Sequence, residues 1–279
     1  KYVFGENNMR FIRGEISFNQ YFTRVQYEIN KGNNINQKKF NYLWKQMKTG
    51  QMPAVNYLLK IKNKYKLYII TNTTSVHVQK LSEKFASSEN FHLVSGDARQ
   101  LNLEEIVGAE SYKLVANLPY YAATYILRAF LAMQNAPQIS VVMVQREVAQ
   151  QMVGRLGSMT FLSHAIGLYG KPSIIRSVPP QAFRPPPQIY SSIVRIEKVD
   201  DDSRPWIVGL DKEAFLDFIR CGFAAPRKKL GNSLSQGLGV AANNTRVFCE
   251  AAGIDSSMRP STLATNEWLR LYDEWRRSI

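Results

Sequence analysis

Asn117-Leu118-Pro119-Tyr120-Tyr121 follows directly on the short apolar run Lys113 to Ala116 and directly precedes a segment of helical spacing. Open α/β sheets bind ligands beyond the carboxyl ends of their strands, so a polar side chain here stands where a site belongs. The string offers two carbonyl acceptors in succession, the Asn117 side chain and the Leu118 backbone, the second held extended by the proline after it. Tyr120 beside them offers an aromatic face. An isolated Asn-Leu-Pro is equally readable as a plain turn between strand and helix. Asp97, in Ser95-Gly96-Asp97-Ala98, stands at the end of another apolar run and alone reads as a turn former. Phe183 among prolines reads alone as a packed loop residue. Two cysteines, Cys221 and Cys249, and three histidines, His77, His92 and His164, cannot build a closed zinc site, so no metal is expected.

The elements that would hold these residues can be read from hydrophobic period. Tyr65 to Ile70, Phe91 to Val94, Lys113 to Ala116 and Ile139 to Val144 are short β-branched or aromatic runs bounded by turn residues, and they read as strands. Between them, Val76 to Ala86, Tyr121 to Met133 and Glu147 to Val153 have helical spacing. Alternation of the two predicts an α/β fold with a mostly parallel sheet covered on both sides. Ser191 to Ile196 alternates at period two and reads as a late strand, antiparallel to the rest, that closes the sheet. Past Asp200-Asp-Asp-Ser203 the pattern is helical to the end, through Ala214 to Cys221, Leu230 to Leu238, Arg246 to Ala252 and Thr265 to Arg277. The expected division is therefore 1–202 for the sheet domain and 203–279 for a smaller all-helical domain.

The 279 residues carry 36 Lys+Arg against 22 Asp+Glu, a formal charge of +14, which points to polyanionic partners. Most of it, 16 basic against 6 acidic, falls in residues 1–100. Arg146, Arg155, Arg227, Lys228 and Lys229 are candidates for phosphate contacts, with ordinary surface charge as the alternative. No apolar run is long enough to span a membrane and the start lacks a secretory signal, so a cytoplasmic protein is expected, with an organelle as the other compartment. A monomer is the default.

Asn117-Leu-Pro-Tyr120 resembles the motif of methyltransferases that modify exocyclic amines of bases. The adenine amine lone pair is delocalised into the ring, and two carbonyls accepting its N–H bonds favour a pyramidal, more nucleophilic nitrogen without a classical base. Val144-Gln145-Arg146-Glu147-Val148-Ala149, Val178 to Arg195 with its Pro-Pro-Gln-Ala-Phe183-Arg-Pro-Pro-Pro core, and Arg227-Lys228-Lys229-Leu230-Gly-Asn232-Ser-Leu234 extend the resemblance. Together they are similar to the ribosomal RNA adenine N6,N6-dimethyltransferase family over roughly residues 90 to 279. The resemblance implies a Rossmann-like methyltransferase sheet with a C-terminal RNA-binding helical domain. It implies S-adenosyl-L-methionine as cofactor and small-subunit rRNA, in a pre-ribosomal particle, as substrate. It casts Asn117, Leu118 and Pro119 as the amine clamp, with Tyr120 and Phe183 stacking on the target base. Asp97 and Ala98 would hold the cofactor's adenine, joined by Asn7, Met9 and Gly50, and Asn117 would also face the cofactor.

The first third departs from that pattern. Phe4-Gly5-Glu6-Asn7-Asn8-Met9 matches the family's opening motif in part. The family's glycine-rich loop falls on Gln46 to Met52, where only Gly50 remains of three glycines and the acidic residue is lost. The carboxylate that holds both ribose hydroxyls falls on Ile70, with no acidic neighbour, although Thr71 or Asn72 could substitute in part. Two functions follow from this: N6,N6-dimethylation of adjacent adenosines coupled to ribosome assembly, or a degenerate relative that keeps the RNA surface as an assembly or mitochondrial transcription factor. A DNA adenine methylase shares the clamp but leaves the Phe183 segment and the Arg-Lys-Lys turn without a purpose.

Overall fold

The computed structural model describes residues 64–72, 75–183 and 186–278, together with Gln20, Thr23, Leu58, Lys60 and Ile61. The chain forms two compact units, Lys1–Val107 and Gly108–Ile279.

In the first unit, β1 (Leu67–Thr71), α1 (Ser75–Phe85) and β2 (Phe91–Ser95) make a crossover that leaves the two strands parallel, in register from Leu67 opposite Phe91 to Thr71 opposite Ser95. Parallel strands need such a connection because a tight turn can only reverse the chain. Phe85 ends α1 almost fully buried and stacks on Phe91 with ring centroids 4.1 Å apart, which ties helix to strand. The Gly96 N–H donates to the Thr71 carbonyl at 3.0 Å and carries the ladder one residue past β2. A short α2 (Leu103–Val107) closes the unit.

The second unit holds β3 (Lys113–Asn117), α3 (Ala123–Ala132), β4 (Ile139–Gln145), α4 (Arg146–Val153), α5 (Phe161–Gly167), β5 (Gly170–Val178) and β6 (Ser191–Lys198). Its sheet order is β3-β4-β6-β5, with β3 parallel to β4 and β6 antiparallel to both neighbours. The expected late antiparallel strand is β6. The sheet is mixed rather than mostly parallel: two of the four strand pairings described are parallel and two antiparallel. The link from β5 to β6 spans residues 179–190, and its described residues hold a single 3₁₀ turn, Pro180–Ala182; β6 returns antiparallel beside β5. β5 itself escapes the sequence pattern because most of its residues are exposed on both faces.

The helical tail, α6 (Lys212–Gly222), α7 (Leu230–Leu238), α8 (Ala242–Ala251) and α9 (Thr265–Ser278), begins near where the sequence places it. It shares one hydrophobic cluster with α5: Ala165 and Leu168 pack with Phe215, Phe218, Leu234, Phe248 and Trp268. The change at 202/203 is thus a change of element type, and packing is continuous across it. Arg204 pins that junction by donating from its guanidinium to the carbonyls of Gly167 and Leu168, each at 2.8 Å, which satisfies acceptors left open at the end of α5. Glycine permits two close approaches in the tail. A Cβ on Gly222 would sit 2.2 Å from the Trp268 ring, and one on Gly237 would sit 2.1 Å from the Cys221 carbonyl oxygen.

His164 lies at the heart of this cluster, fully buried, with Nδ1 2.9 Å from the Thr265 hydroxyl and Nε2 without a partner. Burial pushes its imidazole down to about 4 from an ordinary 6.5. On acidification the unfolded chain therefore takes up this proton first. The stabilisation is complete above about pH 6.5 and is lost as pH falls from there toward 4. Thermal melts across that window should show wild-type stability falling more steeply than that of His164→Gln, by on the order of 3 kcal/mol at the acid end. Parallel curves would show that another group is responsible.

Both cysteines are free thiols, and burial pushes Cys249 up to about 12. Among the described residues no group of three or more His, Cys, Asp or Glu is arranged to hold a metal, and no helix is long and apolar enough to cross a membrane.

Candidate functional site

The ends of three strands build the candidate site in the second unit. Asn117 is the last residue of β3, opposite Met143 of β4, and Gln145 at the end of β4 lies opposite Ser191 at the start of β6. Leu118, 8 % exposed, plugs into the core while Asn117 and Pro119 on either side remain exposed. One buried anchor between two free residues holds the turn and presents the Asn117 amide outward. The Pro119 carbonyl accepts the Ala122 N–H at 3.0 Å, and the chain enters α3 through Ile126 N–H to Ala122 at 2.9 Å. Tyr120 is half-buried, and its hydroxyl meets that of Ser191 at 2.6 Å. Acceptor pair and aromatic ring thus come from one turn whose outer end is fastened to a different strand.

Phe183 follows the 3₁₀ turn Pro180–Ala182, its N–H donating to the Pro180 carbonyl at 3.0 Å, and its side chain is half-buried. It belongs to the same connection that re-enters the sheet at Ser191. Arg146, the first residue of α4, donates its N–H to the Tyr190 carbonyl at 3.0 Å and lays its guanidinium over the Tyr190 ring at 5.0 Å. It therefore braces the end of the Phe183 connection as well as carrying charge. Sequence reasoning does not single out Tyr190 or Ser191. A serine pair opening an otherwise apolar strand is the available signal, and it names no partner.

Arg155 is exposed in the turn after α4, where its carbonyl accepts the Ser158 N–H at 2.8 Å. Arg227, Lys228 and Lys229 are all exposed on the connection from α6 to α7. Ser233 shapes that connection: buried, it donates to the Gly222 carbonyl at 2.6 Å and accepts the Ala225 N–H at 2.9 Å. Lys228 reaches Gln236 at 3.2 Å. The basic candidates therefore occupy separate stations along the second unit, around α4 and before α7.

In the first unit, Asp97 follows β2 and Gly96, and Ala98 beside it is half-buried. Arg99 grips the Asp97 carboxylate, Nε lying 3.0 Å from each oxygen and the Arg99 backbone N–H 3.0 Å from Oδ1. These side-chain and backbone bonds, in that order, hold the carboxyl below the usual range. Arg99 Nη2 also reaches Oδ2 at 2.5 Å, so the carboxylate is charged and largely engaged by Arg99, and it would take a bond from an adenine amine by sharing or yielding one of these contacts. Ile70 lies in β1 opposite Val94, and neither Thr71 nor Asn72 brings a carboxylate to the end of that strand. The described residues thus offer a carboxylate, Asp97, toward the adenine end of S-adenosylmethionine and none toward its ribose hydroxyls at the end of β1. Asn7, Met9 and Gly50 lie outside the described residues.

A family model described as ribosomal RNA adenine dimethylase matches residues 60–277. "Ribosomal RNA small subunit methyltransferase A" of Dehalococcoides mccartyi is 40 % identical over 195 residues, covering 70 % of this chain and 66 % of that protein. The protein of the same name from Campylobacter fetus is 36 % identical over 199 residues, covering 70 % of this chain and 71 % of its own. The chain thus spans about two thirds of the length of these relatives. Among solved structures, a dimethyladenosine transferase from Plasmodium falciparum superposes with a TM-score of 0.58 at 17 % identity, over 81 % of this chain and 96 % of its own. The 23S rRNA methyltransferase ErmE does so with a TM-score of 0.51 at 17 % identity, over 74 % and 80 %.

Proposed function

Since the chain belongs to the ribosomal RNA adenine dimethylase family, we propose that it transfers methyl groups to the N6 of adjacent adenosines of small-subunit rRNA within an assembling particle. The observation that carries this reading is the clamp at the end of β3: an exposed Asn117 amide and the Leu118 carbonyl beside a Tyr120 ring fastened at its far end. A target adenosine is drawn out of its helix, stacked on Tyr120 and Phe183, and held by its amine on the two carbonyls. Accepting both N–H bonds, Asn117 and Leu118 localise the nitrogen lone pair and aim it. S-adenosyl-L-methionine, when bound, supplies an electrophilic methyl group on a sulfonium, with Asp97 holding its adenine. As the N–C bond formed, the S–C bond of the sulfonium would break and leave a neutral thioether, and the surplus N–H proton would pass to water, so no side-chain base is needed.

Arg146, Arg155, Arg227, Lys228 and Lys229 position phosphates and add affinity without reading sequence. The sheet portion up to about residue 202 carries the chemistry and, through Arg146 and Arg155, part of the RNA grip, and the helical tail from 203 adds the rest. Replacing Arg227 and Lys228 by alanine should weaken particle binding and lower its log–log salt slope by about one for each phosphate no longer neutralised. An unchanged slope would remove this turn from the interface.

A second reading, an RNA-binding assembly factor without turnover, is favoured by Ile70 standing where a ribose-binding carboxylate is needed. Labelled methyl transfer to under-methylated small ribosomal subunits separates the two. Label recovered on adenosine supports the enzyme. Tight, salt-dependent particle binding with no label would overturn it in favour of the assembly factor.

A further inference from the structure

Ser191 is fully buried at the start of β6, and it is paired on both sides, with Gln145 of β4 and with Val178 of β5. Its hydroxyl lies 2.6 Å from that of Tyr120. We infer that Ser191 is a positioning residue for the proposed reaction: through this bond it fixes the direction of the long axis of the Tyr120 ring on which the target adenine stacks. The inference rests on the clamp reading above.

A tyrosine ring on a turn has two soft torsions, χ1 and χ2. The turn that carries Tyr120 is anchored by buried Leu118 and Ala122 and by a backbone bond from Ala122 N–H to Pro119, and none of these touches the end of the tyrosine ring. A bond at the para hydroxyl, the point farthest from the backbone, restrains χ1 and so sets the direction of the ring's long axis, while rotation about χ2, whose axis passes through that oxygen, leaves the bond in place. The opposite end of that bond is rigid, because two ladders set the position of Ser191. The residue before it is secured as well, its carbonyl taking the Arg146 N–H at 3.0 Å and its ring lying 5.0 Å under the Arg146 guanidinium. Stacking holds a base in place only if the ring's axis is set before the base arrives, and misorientation at a reacting centre acts on turnover more than on affinity. Phosphate contacts elsewhere supply most of the grip on RNA, so breaking this bond should spare binding.

The test compares Ser191→Ala, Tyr120→Phe and the double variant with wild type in methyl transfer to under-methylated small subunits. Each single variant should lower kcat by about three- to tenfold, the change one neutral hydrogen bond corresponds to, with KM for the particle unchanged. The double variant should be no slower than the worse single one, because both remove the same bond. Wild-type kcat in Ser191→Ala, or losses that multiply in the double variant, would overturn the inference. Tyr120→Phe breaks the bond while keeping ring and serine, so poor folding of Ser191→Ala would leave a decisive variant. A readout independent of turnover is the ring spectrum of Tyr120 in protein carrying 13C-labelled tyrosine, assigned by its loss in Tyr120→Phe. In Ser191→Ala these signals should shift and broaden, and unchanged signals would overturn the inference whatever the activity. If they respond while wild type transfers no methyl group, the bond stands and the methyltransferase reading falls.

Discussion

Asn117→Ala is expected to cut methyl transfer to small-subunit particles by about 10²–10³-fold in kcat, the loss typical of removing one preorganised polar group that acts on the transition state. The side chain is exposed at the end of β3, so its removal leaves no cavity and no buried group unpaired. Thermal stability should stay within about 0.5 kcal/mol of wild type, as for other exposed positions. Particle binding should persist, because Arg146, Arg155 and the Arg227 to Lys229 segment are untouched. Lost turnover with retained fold and binding is therefore the signature of the clamp. A variant that still turns over within a few-fold of wild type would remove the Asn117 amide from the chemistry, and one that unfolds would make the residue structural.

The largest effect on stability is expected at Trp268. It is fully buried in α9, with ring centroids 5.6 Å from Phe223, 6.2 Å from Phe218 and 6.1 Å from His164, and it rests on Gly222, which has no side chain to intrude. Trp268→Ala should cost about 3–5 kcal/mol, from lost burial together with a cavity that helices on all sides cannot collapse to fill. Denaturant unfolding would read this as a lower midpoint at an unchanged slope. Because α5 shares the cluster, the melt should be cooperative across α5 and the tail, and a separate early transition of residues 203–279 would contradict that packing. A loss below about 1 kcal/mol would mean that the indole is not the keystone of the cluster.

Most of the secondary structure is legible in the sequence because each element carries its own period. Leu230 to Leu238 reads to the residue, and β4 can be read from Ile139 to Val144 because Ser140, Val142 and Val144 alternate into the core. The clamp is legible for a similar reason: Asn117 to Tyr121 is contiguous, so the turn that presents it is local. The departures at Gly50 and Ile70 are equally plain, since a missing side chain is visible in one dimension. Not every strand is legible. β5 exposes both faces and so shows no alternation, and the order β3-β4-β6-β5, with β6 inserted between β4 and β5, depends on which strand the chain returns to. The partners of the site are hidden as well. Nothing local links Tyr120 to Ser191, 71 residues on, or Arg146 to the Tyr190 ring. Nor does local pattern show that α5 shares its core with the tail, since a buried face does not name what it is buried against. Residue types and their order along the chain identify the family and single out the groups proposed to carry the chemistry. What holds those groups still is settled in three dimensions, because hydrogen bonds and packing between distant segments are set by strand register and by how far two helices can approach.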